Sequence, residues 1–283
     1  MKILILGANG QIGSELCKVL KKNYKIEKIT RNKLNYYNLN KVKKFLLNRQ
    51  YNLLINAAAY TQVDQAEIEK NKATTLNAKF PKLLSEIVKI KNIPLIHYST
   101  DYVFSGKSKF PYKEDSKPNP INYYGKTKLQ GDNYILHSNC KGIILRVGWV
   151  YASKGKNFLN TVLKISKKNK VLKIIYDQVG TPTNANIIAN ITKQLINKNI
   201  QNQKVKIINV CPNGKTSWYE LAKYLFKKLK NKQVKILKIK AKDYKRIAKA
   251  PLFSKLSNKI LQKILKTKLS HWKVGVDQYI RQI

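Results

Sequence analysis

The chain has 283 residues, enough to bury a full core without disulfide or metal staples. Lysine and arginine outnumber aspartate and glutamate 57 to 14, a net charge of +43 that at first suggests nucleic acid or an anionic membrane. The cations are spread over the whole chain, are nearly all lysine and come with many Asn and Ile, as a global compositional bias would make them. No single basic face with arginine and interleaved aromatics stands out, so nucleic acid is not expected as the main partner. The charge instead favours an anionic cofactor and an anionic substrate. Cys17, Cys140 and Cys211 lie far apart with no metal-ligand spacing, so no metal site is expected and a reducing cytoplasm fits. No apolar run approaches the ~18 residues of a membrane helix, and the N-terminal run is too short for a signal peptide.

Residues 2–6 form a β-prone apolar run of the kind buried on both faces of a parallel sheet. Gly7, Gly10 and Gly13 follow at once as GxxGxxG, and Ile12, Leu16, Val19 and Leu20 continue at helical spacing. Glycine in a strand-to-helix turn lets the backbone approach a pyrophosphate, whose charge the helix N-terminus stabilises. Gly7, Asn9, Gly10, Gln11, Ile12 and Gly13 are therefore candidate dinucleotide-binding residues. A second strand at 25–30 ends without the acid that holds a ribose 2′-hydroxyl in NAD-preferring sheets. Arg31 stands there instead, which favours the 2′-phosphate of NADPH and leaves NADH open.

A helix at 39–48, a strand at 51–56 and the small residues Ala57, Ala58 and Ala59 come next, the alanines allowing close packing against a cofactor. Interrupted helical sequence from 63 to 91 precedes a strand at 94–98, with Thr100, Asp101 and Tyr102 at its carboxyl end, the ligand-binding edge of such sheets. His97 reads as a packed core residue. An irregular, proline-containing loop leads to a helix carrying Tyr124 and Lys128 in its opening turn, and 142–150 is a further strand ending near Trp149. Residues at i and i+4 share a helix face, and a lysine near a phenol lowers its pKa, which suits a general acid for carbonyl reduction.

The sustained βα alternation predicts an α/β fold: a Rossmann-type doubly wound parallel sheet over residues 1–155, with a smaller C-terminal α/β lobe over 156–283. Within that lobe the pattern predicts helices at 158–168, 185–197, 218–229, 258–265 and 272–281 and strands at 171–176, 205–210 and 234–239. The segment 200–212 is a candidate to return to the main sheet. Ser217, three residues before Glu220, has the spacing of a capping box.

Seven blocks carry a resemblance over nearly the whole chain: GANGQIG (7–13), NAAAYTQVDQAE (56–67), STDYVF (99–104), YGKTKLQG (124–131), RVGWVY (146–151), DQVGTPT (177–183) and GKTSWYELA (214–222). In these the chain resembles the dTDP-4-dehydrorhamnose reductase family of the extended short-chain dehydrogenases/reductases. The resemblance implies a cytoplasmic oxidoreductase acting on a dTDP-4-keto-6-deoxy sugar in polysaccharide biosynthesis, and allows a homodimer. It implies Thr100, Tyr124 and Lys128 as catalytic residues, with Tyr124 and Lys128 also at the nicotinamide end of the cofactor. Asp101, Tyr102 and Trp149 match positions around the sugar. Related 4,6-dehydratases carry Thr-Asp-Glu where this chain has Thr100-Asp101-Tyr102, so elimination of water lacks its base. Non-catalytic relatives, such as the regulatory β subunit of methionine adenosyltransferase, keep the fold and bind NADP. Reduction of another 4-keto-6-deoxy sugar is a further alternative. Two departures stand out: Ala250 occupies the place of a family arginine before Pro251, and Asn186 aligns with a glutamate that, with the counterpart of Glu15, holds magnesium in some relatives.

Overall fold

In the computed structural model, which describes residues 1–231 and 233–283, the first apolar run is a strand whose alternate side chains serve two cores. Leu4 and Leu6 join one buried cluster, Ile3 and Ile5 the other, as the two-residue period of a strand buried on both faces requires. In chain order the elements are β1 (Lys2–Leu6), α1 (Gln11–Leu20), β2 (Lys25–Ile29), α2 (Leu39–Leu47), β3 (Leu53–Asn56), α3 (Val63–Ala66), α4 (Lys70–Thr74), a π-helical turn (Thr75–Lys79), α5 (Phe80–Ile90), β4 (Leu95–Thr100) and α6 (Tyr123–His137). They continue with β5 (Gly142–Val147), β6 (Val150–Tyr151), α7 (Phe158–Ser166), β7 (Val171–Ile175), β8 (Val179–Gly180), β9 (Thr183–Asn184), α8 (Ala185–Asn197) and β10 (Lys206–Asn209). The last elements are β11 (Thr216–Ser217), α9 (Trp218–Lys228), β12 (Lys235–Ile239), α10 (Lys259–Leu265) and α11 (Trp272–Ile280).

Six parallel strands form the central sheet in the order β10-β5-β4-β3-β1-β2. Chain direction across the sheet reverses between β1 and β3, which opens a crevice beyond their carboxyl ends. Side chains of α2, α5 and α6, such as Val42, Leu46, Leu84, Ile87 and Ile135, cover one face. Those of α1, α8 and α10, such as Leu16, Leu20, Ile188, Leu195 and Leu261, cover the other. Each such Leu or Ile is worth ~1.5–3 kcal/mol of burial, so the two layers hold the strand ends rigidly in register.

Two departures from the expected strands bear on the site. The strand expected over 142–150 stops at Val147, because Trp149 takes a left-handed φ of 50° and turns Val150 and Tyr151 out to pair with β9. The chain also crosses back: β10 pairs with β5, and α8 and α10 lie on the central sheet. A third core, with Leu159, Leu172, Leu221, Phe226, Trp272 and Tyr279, gathers α7, β7, α9 and α11 beside it, and β12 pairs in parallel with β7. Ser217 caps α9 as its spacing suggests, accepting from the Glu220 N–H at 3.1 Å.

Candidate active site

The glycine turn is tight enough that its glycines are required. A Cβ at Gly7, where φ is +74°, would sit 2.7 Å from the Ala57 carbonyl carbon and the Ala58 nitrogen, and one at Gly13 only 2.1 Å from the Gly7 carbonyl. Gly10 differs, since a Cβ there would meet only the Gly7 carbonyl oxygen, at 3.3 Å, and otherwise open space. Gly10 is the N-cap of α1 and no side chain caps that helix, so its first-turn N–H groups face the crevice as orphan donors. The Tyr36 hydroxyl accepts from the Gly7 N–H at 2.9 Å and donates to the Ile29 carbonyl at 2.7 Å, fixing the turn to the end of β2. Arg31 is exposed just beyond that end. Ala57 and Ala59 are half-buried and Ala58 is buried against the turn. Asn9 is exposed and Ile12 half-buried, while Gln11 is held sideways: its Oε1 accepts from Asn157 Nδ2 at 3.0 Å.

At the carboxyl end of β4, Thr100 Oγ1 donates to Asp101 Oδ1 at 3.2 Å and accepts from the Tyr102 N–H at 3.2 Å. Tyr102 lies edge-on to Tyr124, ring centres 5.7 Å apart. Tyr124 opens α6 under an N-cap, Asn122, whose Oδ1 accepts from the Gly125 N–H at 2.7 Å. Two glycines of the YGKTKLQG block bring this helix in: a Cβ at Gly125 would stand 2.2 Å from the Tyr102 carbonyl, and one at Gly131 2.1 Å from the Asn77 carbonyl. Burial raises the Tyr124 phenol above its ordinary pKa, and Thr100 beside it offsets part of the rise. Asp101 is 2 % exposed, its Oδ2 has no hydrogen-bond partner, and burial lifts its pKa to about 6.

The structure puts Lys128 on the expected face but gives its ammonium other partners. Nζ donates to the Tyr98 carbonyl at 2.7 Å and lies 3.1 Å from His97 Nε2. Asn56 Oδ1 accepts from the Ala58 N–H at 3.1 Å, which directs Asn56 Nδ2 to His97 Nδ1 at 3.0 Å. Burial, and the charge of Lys128 beside it, hold His97 neutral. Burial also pushes Lys128 down to about 8, against the pull of Asp132, so the ammonium form still predominates at neutral pH. Behind them Asp132 accepts from Ser99 Oγ at 2.6 Å and lies 3.7 Å from Arg146 Nε, all within the interior.

His97 is thus tied to Lys128 rather than simply packed, and Asn77 belongs to no motif that marks it in the sequence. Asn77 sits in the π-helical turn, its Oδ1 accepting from the Tyr60 N–H at 2.8 Å and its Nδ2 donating to Thr127 Oγ1 at 3.2 Å. A π turn leaves no hydropathy signature, although such turns often mark functional sites. Trp149 stacks on Trp218 with ring centres 3.4 Å apart and donates through Nε1 to Ser254 Oγ at 3.2 Å. Its ring fills the space over Gly180, where a Cβ would approach within 2.4 Å. Ala250 is half-buried; four residues earlier, Arg246 lies against Tyr102, with Nε 3.6 Å from Asp64 Oδ1. Glu15 is engaged by Lys18 and by Asn186 Nδ2 at 3.0 Å.

A glycine turn at the reversal of a parallel sheet, facing a threonine, a phenol and a lysine at the end of the fourth strand, defines a nucleotide-dependent oxidoreductase of the extended short-chain type. The family model described as the RmlD substrate binding domain matches residues 1–283. A dTDP-4-dehydrorhamnose reductase of Aggregatibacter actinomycetemcomitans is 34% identical over 96% of this chain and 95% of its own. One from Escherichia coli strain K12 is 31% identical over 100% and 98%. A crystal structure of a dTDP-4-dehydrorhamnose reductase from Clostridium acetobutylicum superposes with a TM-score of 0.93 at 35% identity, covering 100% of this chain and 99% of that one. One from Bacillus anthracis, in complex with NADP, gives 0.94 at 28% over 100% and 99%. The chain belongs to the dTDP-4-dehydrorhamnose reductase family.

Proposed function

We propose that the protein uses NADPH to reduce the C4 keto group of dTDP-4-dehydro-L-rhamnose, giving dTDP-L-rhamnose. The observation that carries the assignment is the Thr100–Tyr124 pair at the end of β4, set beside the uncapped glycine turn in a chain of this family. The turn suits a pyrophosphate: Gly10 opens on free space, the α1 N-terminus presents unused donors, and Arg31 supplies a cation where a 2′-phosphate is held in related sheets. Gly7, Asn9, Gly10, Gln11, Ile12, Gly13, Arg31 and the Ala57–Ala58–Ala59 run would hold the cofactor, which supplies the hydride. Residues 1–155 would carry this half of the site and 156–283 most of the sugar side.

The protein's part is to place and protonate the carbonyl oxygen. Burial keeps the Tyr124 phenol protonated at neutral pH, so it is ready as the acid. Thr100 would stabilise the developing charge by turning its hydroxyl from Asp101 Oδ1 to the reacting oxygen. Asp101 holds that hydroxyl in the free protein, while Tyr102 and Trp149 line the sugar side. Lys128 would leave His97 as the ribose and the new phenolate attract it. A cytoplasmic location and a homodimer complete the proposal and rest on the family resemblance.

Incubating purified protein with NADPH and enzymatically generated dTDP-4-dehydro-L-rhamnose, and following reduced nicotinamide by absorbance, tests the assignment. Oxidation with formation of dTDP-L-rhamnose is expected. No oxidation with either NADPH or NADH would sink it. Turnover of only a different 4-keto-6-deoxy sugar would redirect it.

A further inference from the structure

Helix α1 lies on the central sheet and α7 in the third core, yet their N-termini meet. Gly10 caps α1 without a side chain, which leaves the first-turn N–H groups of that helix unpaired. Asn157 caps α7, its Oδ1 accepting from the Asn160 N–H at 3.0 Å. The Nδ2 of Asn157 donates to Oε1 of Gln11, the first residue of α1, at 3.0 Å, and Gln11 Nε2 reaches back to the Lys156 carbonyl at 3.5 Å. A helix carries roughly half a positive charge at its N-terminus, so two such ends side by side repel unless an anion joins them.

The loop between β6 and α7 adds full charges to these partial ones. It reads Ser153-Lys154-Gly155-Lys156, and its last three residues are exposed. Asn160 Nδ2 gathers the loop from beneath, donating to the carbonyls of Ala152 at 3.2 Å, Ser153 at 3.3 Å and Gly155 at 2.7 Å. Gly155 turns at a φ of +87°, and a Cβ there would stand 3.3 Å from Gln11 Cγ, so the loop rests on the first turn of α1. With these carbonyls engaged inward, the backbone N–H groups from Ser153 to Lys156 have no protein acceptor among the described residues. Successive free N–H groups form a concavity suited to an anion. Neither Lys154 nor Lys156 takes part in an ion pair among the described residues. Glu15, the acid of α1, is already engaged by Lys18 and Asn186.

We infer that this loop is a second wall of the cofactor site: Lys154 and Lys156, with the free N–H groups between them, receive the dinucleotide's pyrophosphate opposite the glycine turn. The inference rests on the proposed function. Helix ends and backbone donors supply only partial charge, and two ammonium groups complete the neutralisation. Lysines in so basic a chain are mostly solvated surface cations; these two differ in standing on a fixed loop against the turn. The loop also runs from Trp149 through β6 into α7, so a pyrophosphate held there would draw the sugar side toward the central sheet.

The experiment titrates NADPH, NADH and dTDP into the full-length protein, followed by intrinsic fluorescence. It uses the wild type, the pair Lys154→Met/Lys156→Met, Asn157→Ser, and the pair Lys223→Met/Lys227→Met, whose lysines are exposed on α9. NADPH and NADH share the pyrophosphate and differ in the 2′-phosphate. The loop pair is expected to weaken both by the same factor, about tenfold, and to leave dTDP binding in place. Serine at 157 can still cap α7 but cannot reach Gln11, so Asn157→Ser should weaken both dinucleotides about threefold with every charge intact. The α9 pair should bind all three ligands as the wild type does. Unchanged NADPH binding in the loop pair, a loss for NADPH but not NADH, an equal loss for dTDP, or an equal loss in the α9 pair each overturn the inference. Because the titrations need no catalysis, a protein that holds both dinucleotides through these lysines yet reduces no 4-keto sugar would overturn the proposed function alone.

Discussion

Strand β4 and helix α6 carry two groups of polar side chains assembled on opposite terms. Behind them, His97, Ser99, Lys128 and Asp132, with Asn56 and Arg146, are 3 % exposed or less and bonded mainly to one another. In front, at the open end, Thr100, Tyr102, Tyr124 and Arg246 keep hydrogen-bonding capacity in reserve, beside the Trp149 ring, whose one donor is spent on Ser254. Polar groups taken fully out of water must find partners in the protein, so the rear group is rigid. Groups that share their surroundings with solvent can leave a valence for a ligand. The rear network thus sets the position of α6, and the front group uses that position for chemistry.

Substitutions in each group should separate the two roles. Tyr124→Phe has the largest expected effect: loss of the acid should lower kcat by ~10²–10⁴-fold in steady-state assays while NADPH binding, followed by fluorescence, is retained. Asp132→Ala should act in the opposite sense, leaving Arg146 charged and unpaired in the interior at a cost of ~3–5 kcal/mol in urea unfolding. An unchanged midpoint in that variant would show that the rear network does not hold α6. Gly131→Ala should cost ~1–3 kcal/mol by the same measurement, because its Cβ must displace the Asn77 carbonyl.

The smallest effect expected is on pH dependence. Asp101, lifted to about 6, is a carboxylate that accepts strongly from Thr100 above that pH and, once protonated below it, becomes a weaker acceptor and a competing donor. Lys128, lowered to about 8, is charged below that pH and an amine above it. The profile of kcat/KM should therefore be bell-shaped between these values. Asp101→Asn, whose neutral amide does not titrate, should flatten the acid limb several-fold while leaving the alkaline limb in place. An acid limb that persists in Asp101→Asn would assign it to another group.

Much of this arrangement is legible along the chain. The glycine turn and the strand after it declare themselves because an apolar two-faced strand and a close backbone approach each need particular residue types at fixed spacing. Tyr124 and Lys128 fall on one helix face for the same reason, since helical periodicity is local. What the sequence hides is where a side chain sends its bonds. Lys128 turns to Tyr98 and His97, and that histidine is held on its other ring nitrogen by Asn56, 41 residues before it. The π turn at Asn77, the premature end of β5 and the approach of Arg246 to Tyr102 are equally products of packing between distant segments. No run of neighbouring residues encodes them.

Trp149 shows what the front group costs. A residue other than glycine held in the left-handed region is strained by about 1–3 kcal/mol, and here the residue is among the bulkiest. Glycine at that position would remove the strain but also the indole that Trp218 and Ser254 hold in place. Selection for thermal robustness alone would push this position toward glycine, whereas selection for a placed ring resists it. A library of variants at residue 149, sorted once for survival on heating and once for turnover, should therefore enrich opposite side chains.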